Sequence, residues 1–245
     1  MEFLFTPQFG AALVQIVIID LLLGGDNAVV IALACRKLPP AQRVKGIIWG
    51  TVGAIVLRVL LLVFALALLS VPYLKLVGAV LLVWIGVKLM HPDDETHEDI
   101  ATSDKLWVAV RTVIVADLVM SVDNVIGIAG AAQNAGESHQ LLLVILGLLI
   151  SIPIIVWGSQ FVIRVMDKFP WVITLGAMLL GWISGSMAWT DVAVVRWIGG
   201  IDPTWMNTRT MHLAVGLCGA ALVAVLGVWS RQRLTRIKHD ESATP

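Results

Sequence analysis

Two short stretches of this chain set acidic and amide side chains into otherwise apolar sequence. The first, DLLLGGDNAVVIALA, carries Asp20, Asp26 and Asn27; the second, DLVMSVDNVIGIAGAA, carries Asp117, Asp123 and Asn124 at a constant offset of 97 residues. A carboxylate near the centre of a bilayer costs ~2.5–3.5 kcal/mol on insertion scales, so four of them need a function. Seven residues along a helix return to nearly the same face, so Asp20 and Asn27 share a stripe, as do Asp117, Ser121 and Asn124. On a straight helix Asp26 and Asp123 sit to the side of those stripes. Gly24–Gly25 predicts a local bend or unwinding that turns Asp26 inward, whereas the second copy has Ser121–Val122 there. The combined donors are four carboxylates and two amide carbonyls, with no Cys or His. An oxygen-only set suits hard divalent cations such as Mg²⁺, Ca²⁺ and Mn²⁺. Helix-to-helix bonding is the simpler reading for one asparagine, but it does not account for the duplicated six-residue set. Asp20 and Asp117 are expected to contribute alike to one shared site.

Arg58 is the third informative charge. It falls near the middle of an apolar segment, where a lone guanidinium is costly, and so is expected to pair with a carboxylate. It has no counterpart in the second half, where the offset lands on Ile155. Cys35 and Cys218 are far apart and lack metal-ligand spacing, which gives no support to a disulfide or zinc site. Both are expected to be small buried hydrophobes. No GxxxxGK[ST] phosphate loop occurs, so ATP is not the expected energy source. An intramembrane aspartyl protease would need YD and GxGD elements, and neither matches around Asp26 or Asp123. The chain is therefore expected not to be an enzyme, and neither a cofactor nor a nucleic-acid partner is expected.

The elements that must position these residues are membrane helices. The chain has 245 residues, of which 58% are hydrophobic and 14% charged, with a mean hydropathy of +0.90. Soluble domains run nearer 45–50% apolar and roughly 25% charged. The sequence predicts an all-α membrane protein forming a single transmembrane domain over 1–245. Seven spans are expected, at about 11–34, 47–71, 74–90, 107–132, 141–166, 171–189 and 210–230. Arg36, Lys37, Arg43 and Lys45 in the first loop and Arg231, Arg233, Arg236 and Lys238 in the tail predict a cytoplasmic C-terminus and an external N-terminus. The segment 91–106, HPDDETHEDIATSDKL with His91 and His97, reads as an acidic cytoplasmic loop. The repeat continues into the third span of each half, where Gly78 and Trp84 align with Gly176 and Trp182 after a one-residue slip. Three spans per copy is an odd number, so 11–90 and 107–189 must cross in opposite senses. That predicts a 3+3 inverted-topology repeat plus a seventh helix, an architecture of secondary transporters with midplane sites. The Gly181 and Gly185 pair in GWISG is expected to serve helix packing.

The paired DLLLGGDN and DLVMSVDN elements, with AIVLR around Arg58, resemble the TerC family of integral membrane proteins, in particular its short YjbE-like members. The resemblance covers nearly the whole chain. It implies a multi-pass protein of the bacterial inner membrane that exports manganese from the cytoplasm, with metal supply to secreted proteins as a further role in some members. By position it assigns Asp20, Asp26, Asn27, Asp117, Asp123 and Asn124 to the metal site. The leading expectation is a divalent-cation exporter, foremost for Mn²⁺, with Arg58 balancing charge and protons as the coupling ion. Export of Ca²⁺ or a basic amino acid, or a scaffold assisting metal supply, are the alternatives.

Overall fold

The structure, a computed structural model, describes residues 7–23, 25–69, 71–90, 102–133, 140–198 and 209–243. Among the described residues the chain is helical: α1 (Pro7–Leu23), α2 (Gly25–Cys35), α3 (Pro40–Leu69), α4 (Leu74–Met90), α5 (Thr102–Gln133), α6 (Gln140–Lys168), α7 (Trp171–Trp189), α8 (Val192–Ile198) and α9 (Arg209–Ala243). Four of these are long and apolar enough to cross a membrane: α3 over Pro40–Leu61, α6 over Val144–Lys168, α7, and α9 over Arg209–Arg233. The count is five if α1 and α2, bent by 49°, form one broken span. Among the described residues the seven expected segments fall on helix apart from Val71 at the end of the second, but α4 and α5 are not among those five. The 17 residues of α4 rise only about 26 Å against a hydrocarbon core of about 30 Å. α5 carries Asp104, Lys105, Arg111, Asp117 and Asp123 along its length. Large apolar side chains lie exposed along the helices, among them Leu22, Val80, Trp157 and Leu217. Such a surface belongs in lipid, where a helix satisfies its own backbone. This is an integral membrane protein.

Other expectations are corrected at the element ends. Of the loop 91–106, residues 91–101 lie outside the described residues, while α5 already begins at Thr102 and carries Asp104 in its first turn. A carboxylate there is favoured by the positive end of the helix dipole. The seventh helix runs past 230 to Ala243 and takes the basic tail with it. Cys35 is buried as expected, but Cys218 is exposed, on a face of α9 with Leu217 and Leu222.

The chain forms two compact units, Met1–Ser70 with Ala101–Val165, and Val71–Ile100 with Met166–Pro245. Each therefore takes helices from both halves of the sequence. In the first unit α3 runs beside α5 in the same direction, with Gly46 at Leu106, Gly50 at Val113 and Gly53 at Ile114. A Cβ added at Gly50 would stand 2.9 Å from Val113 Cγ1, so the glycines are what let these backbones approach closely. α1 packs on α6 in a core of Phe9, Ala12, Ile16, Val144 and Leu148, with Ile55 from α3. There Gly147 faces Ile16. Gly147 is 97 residues after Gly50, and Val113 is 97 after Ile16, so both contacts occur at the repeat offset.

In the second unit α4, α7 and α9 pack on one another around Met90, Ala177 and Val223. The Ser184 hydroxyl donates to the Ala79 carbonyl at 2.8 Å, while Gly86 approaches the Ala177 carbonyl. These contacts too are related by one offset, here 98 residues. Gly181 and Gly185 press against the backbone of α9 at Gly219 and Val215, the packing role expected of them. Asp191, which the sequence reading passed over, is fully buried. Its carboxylate accepts backbone N–H bonds from Tyr73 and Lys75 at 3.0 Å, Leu76 at 3.3 Å and Ala193 at 2.7 Å. It thus caps both α4 and α8, supplying acceptors for N–H groups that a helix start leaves unpaired. A Thr-Asp pair before an apolar run was the available signal. Burial alone would raise its pKa, but these four donors outweigh that and hold it below the ordinary 3.8. Tyr73, at the entry to α4, takes a positive φ of 67°, a strained region for an aromatic residue.

Candidate functional site

The site lies within the first unit and is built around Arg58. Its guanidinium donates from Nη1 to Asp20 Oδ1 on α1 and from Nη2 to Asp117 Oδ1 on α5. Nε donates to Ser121 Oγ at 3.0 Å, and the Ser121 hydroxyl donates in turn to Asp117 Oδ2 at 2.9 Å. Asp20 is 1% exposed, Arg58 3% and Asp117 6%, so water does not solvate these charges. Buried charges of this kind persist only when paired and hydrogen-bonded, and a planar fork such as arginine can serve two carboxylates at once.

The local fold explains the meeting. Asp20 lies in the last turn of α1, and the α3 glycines that admit α5 sit on the approach to Arg58. Because α3 and α5 run parallel, the rise from Gly50 to Arg58 keeps pace with that from Val113 to Ser121. The α1–α2 break then places Asp26 in the first turn of α2, where the helix dipole favours a carboxylate. Asp26 lies within electrostatic reach of both Asp117 and Arg58. Asn27, one residue on, is buried. Ser151 faces Asp20 from α6 and donates to the Gly147 carbonyl at 3.1 Å.

Three acceptor oxygens here are buried without a hydrogen-bond partner among the described residues: Asp20 Oδ2, Asp26 Oδ1 and Asn27 Oδ1. Each comes from the first DN element. An unmet buried acceptor costs roughly 1–3 kcal/mol, more when charged, so the α1–α2 side is short of positive charge or donors. No group of three or more His, Cys, Asp or Glu among the described residues is arranged to hold a metal ion. A cation bound here would thus need amide, hydroxyl or backbone oxygens beside the carboxylates.

Of the residues singled out from sequence, the fold brings together Asp20, Asp117 and Arg58 in direct contact, with Asp26 and Asn27 at the adjoining break. Asn124 lies half-buried on α5 and takes part in a polar interaction. Asp123 falls in α5, but its side chain lies outside the described residues. The expected pairing of Arg58 is present, and with two carboxylates where one was anticipated. The clamp formed by Ser121 was not foreseen, although its place on the stripe with Asp117 was.

A family model described as the integral membrane protein TerC family matches residues 5–235. Membrane protein YjbE of Bacillus subtilis strain 168, described as uncharacterized, is 43% identical over 180 residues, covering 74% of this chain and 80% of its own. YkoY of the same organism, likewise described, is 26% identical over 234 residues, covering 86% and 72%. The inner membrane protein YoaE of Escherichia coli K12 is 28% identical over 194 residues, covering 71% of this chain but 36% of its own. No solved structure matches the chain.

Proposed function

The chain belongs to the TerC family of integral membrane proteins, and from that premise we propose that it is a secondary transporter exporting a divalent metal cation, foremost Mn²⁺, through the Arg58 site. The observation that carries this reading is the unbalanced buried charge. Asp20, Asp26 and Asp117 against Arg58 leave a formal charge of −2, with three oxygens lacking donors among the described residues. One dication, or two protons, neutralises that set. Acceptors alone, without imidazole or thiolate, favour a hard cation over zinc or copper.

Arg58 supplies a means of alternation. Asp20 and Asp117 already share a counter-cation, so a metal that engages Asp20 competes with the guanidinium. Metal loading releases Arg58, and metal departure draws it back or admits protons. The paired contacts at offsets of 97 and 98 residues support the repeat reading, and the Lys/Arg distribution is what favours an external N-terminus and a cytoplasmic C-terminus. Exporting a dication against 100 mV, inside negative, costs about 4.6 kcal/mol, which an inward flow of protons can supply.

Purified protein in proteoliposomes tests the reading directly. Mn²⁺ flux should require the protein and fall at least tenfold in Asp20→Ala. Flux of Ca²⁺ or a basic amino acid with none of Mn²⁺ would reassign the cargo. Absence of any flux, with partner-dependent metal supply in cells, would favour a scaffold instead.

A further inference from the structure

The duplicated elements are alike in sequence, yet the structure uses them differently. In the first, α1 ends and α2 begins at a 49° bend, and three acceptor oxygens are without donors among the described residues. In the second, α5 continues unbroken. At the place corresponding to Gly24 it carries Ser121, which is fully buried. That hydroxyl accepts a hydrogen bond from Arg58 Nε–H and donates one to Asp117 Oδ2. Both oxygens of Asp117 are thereby satisfied, one by Arg58 and one by Ser121, and the three groups close a ring. Asp20 has one oxygen on Arg58, while its Oδ2, with Ser151 beside the carboxylate but bonded to the Gly147 carbonyl, makes no hydrogen bond among the described residues. Arg58 is thus held to α5 by two donors through Asp117 and Ser121, and to α1 by one.

Resting on the cation-transport reading above, we infer that the site is divided into a binding half and an anchoring half. Asp20, Asp26 and Asn27 at the broken helix take the divalent cation. Asp117 is the fixed counter-ion of Arg58, and Ser121 is a positioning residue that keeps the guanidinium on α5. When the cation arrives, Asp20 is the carboxylate that gives up Arg58, because it has fewer bonds to lose and an oxygen already open. Where the first copy has Gly24 in sequence, the second has Ser121, which continues α5 while supplying the clamp.

Two charge-matched double variants of the full chain separate this from a symmetric site. Arg58→Met with Asp20→Asn and Arg58→Met with Asp117→Asn each remove one positive and one negative charge. Mn²⁺ affinity, read from the EPR signal of free Mn²⁺ in detergent solution, should be at least tenfold weaker in the Asp20 pair than in the Asp117 pair. Equal losses, or a greater loss in the Asp117 pair, would overturn the division. Should a double variant not yield folded protein, single substitutions decide. Asp26→Asn should weaken Mn²⁺ binding at least tenfold. Ser121→Ala should leave KM for Mn²⁺ within about threefold and lower kcat at least fivefold, with Ser121→Thr restoring part of it. A KM effect at Ser121 as large as that at Asp26 would count against the proposal. A wild-type protein that binds no Mn²⁺ would instead remove the manganese reading on which it rests.

Discussion

At the scale of single residues, Arg58 does two jobs whose signs differ. It compensates two buried carboxylates, and it occupies a place that a bound cation would contest. Removing one partner of a buried charge network costs roughly 3–5 kcal/mol, because the remaining charges are left uncompensated. Arg58→Ala should therefore lower thermal stability in detergent by several degrees, and Mn²⁺ should restore more stability in this variant than in wild type, since ligand binding stabilises the folded state by mass action. Its Mn²⁺ affinity should be equal to or tighter than that of wild type, while turnover falls at least tenfold; Arg58→Lys should keep part of the turnover. A variant that bound Mn²⁺ poorly but turned over normally would contradict both roles.

At the scale of elements, small residues decide which helices meet. Gly219 lies against the Gly181 carbonyl, and backbone cannot move aside as a side-chain tip can. Gly219→Ala should destabilise the second unit by roughly 2 kcal/mol or more. Gly10→Ala on α1, where nothing lies within 4 Å of the added carbon, should change stability by less than about 1 kcal/mol and serves as the matched control. Asp191 ties the start of α4 to the end of α7 through charge-assisted bonds to backbone N–H groups. Its folded-state pKa is depressed below 3.8, so its stabilisation is present above that value and is lost as pH falls through the folded-state value. Thermal unfolding of wild type should show this acid loss, and Asp191→Asn should start less stable and lose less between pH 5 and pH 2.

At the scale of the whole molecule, the two compact units do not follow the two halves of the sequence. The first unit gathers both DN elements and Arg58, so the charge network among the described residues lies within it. On the proposed function, cation transport should accordingly respond to substitutions in α1, α2, α3 and α5 far more than to those in α9. Coupling is tested by imposing a pH gradient on proteoliposomes. Mn²⁺ flux should accelerate when protons run opposite to it and slow when the gradient is reversed, and flux blind to the gradient would rule out proton coupling while leaving the metal site in place.

Apolar composition, the DN duplication and a mid-segment arginine determined much of this protein before any coordinates. They set the membrane class, a set of candidate polar residues and the need for Arg58 to find a carboxylate, because charge in an apolar segment is too costly to be accidental. The bend at the first DN element was also legible, since paired glycines weaken a helix locally. Tertiary structure decided the rest. That Arg58 serves Asp20 and Asp117 together depends on α3 and α5 running side by side, which glycine contacts 60 residues apart in the chain bring about. The unequal state of the two aspartates depends on one hydroxyl, Ser121, reaching two partners at once. The role of Asp191 depends on α4 and α8 presenting their free N–H groups to a single carboxylate. Each of these is a distance between segments remote in sequence, and a periodic pattern carries the facing of one helix but not the identity of its neighbour.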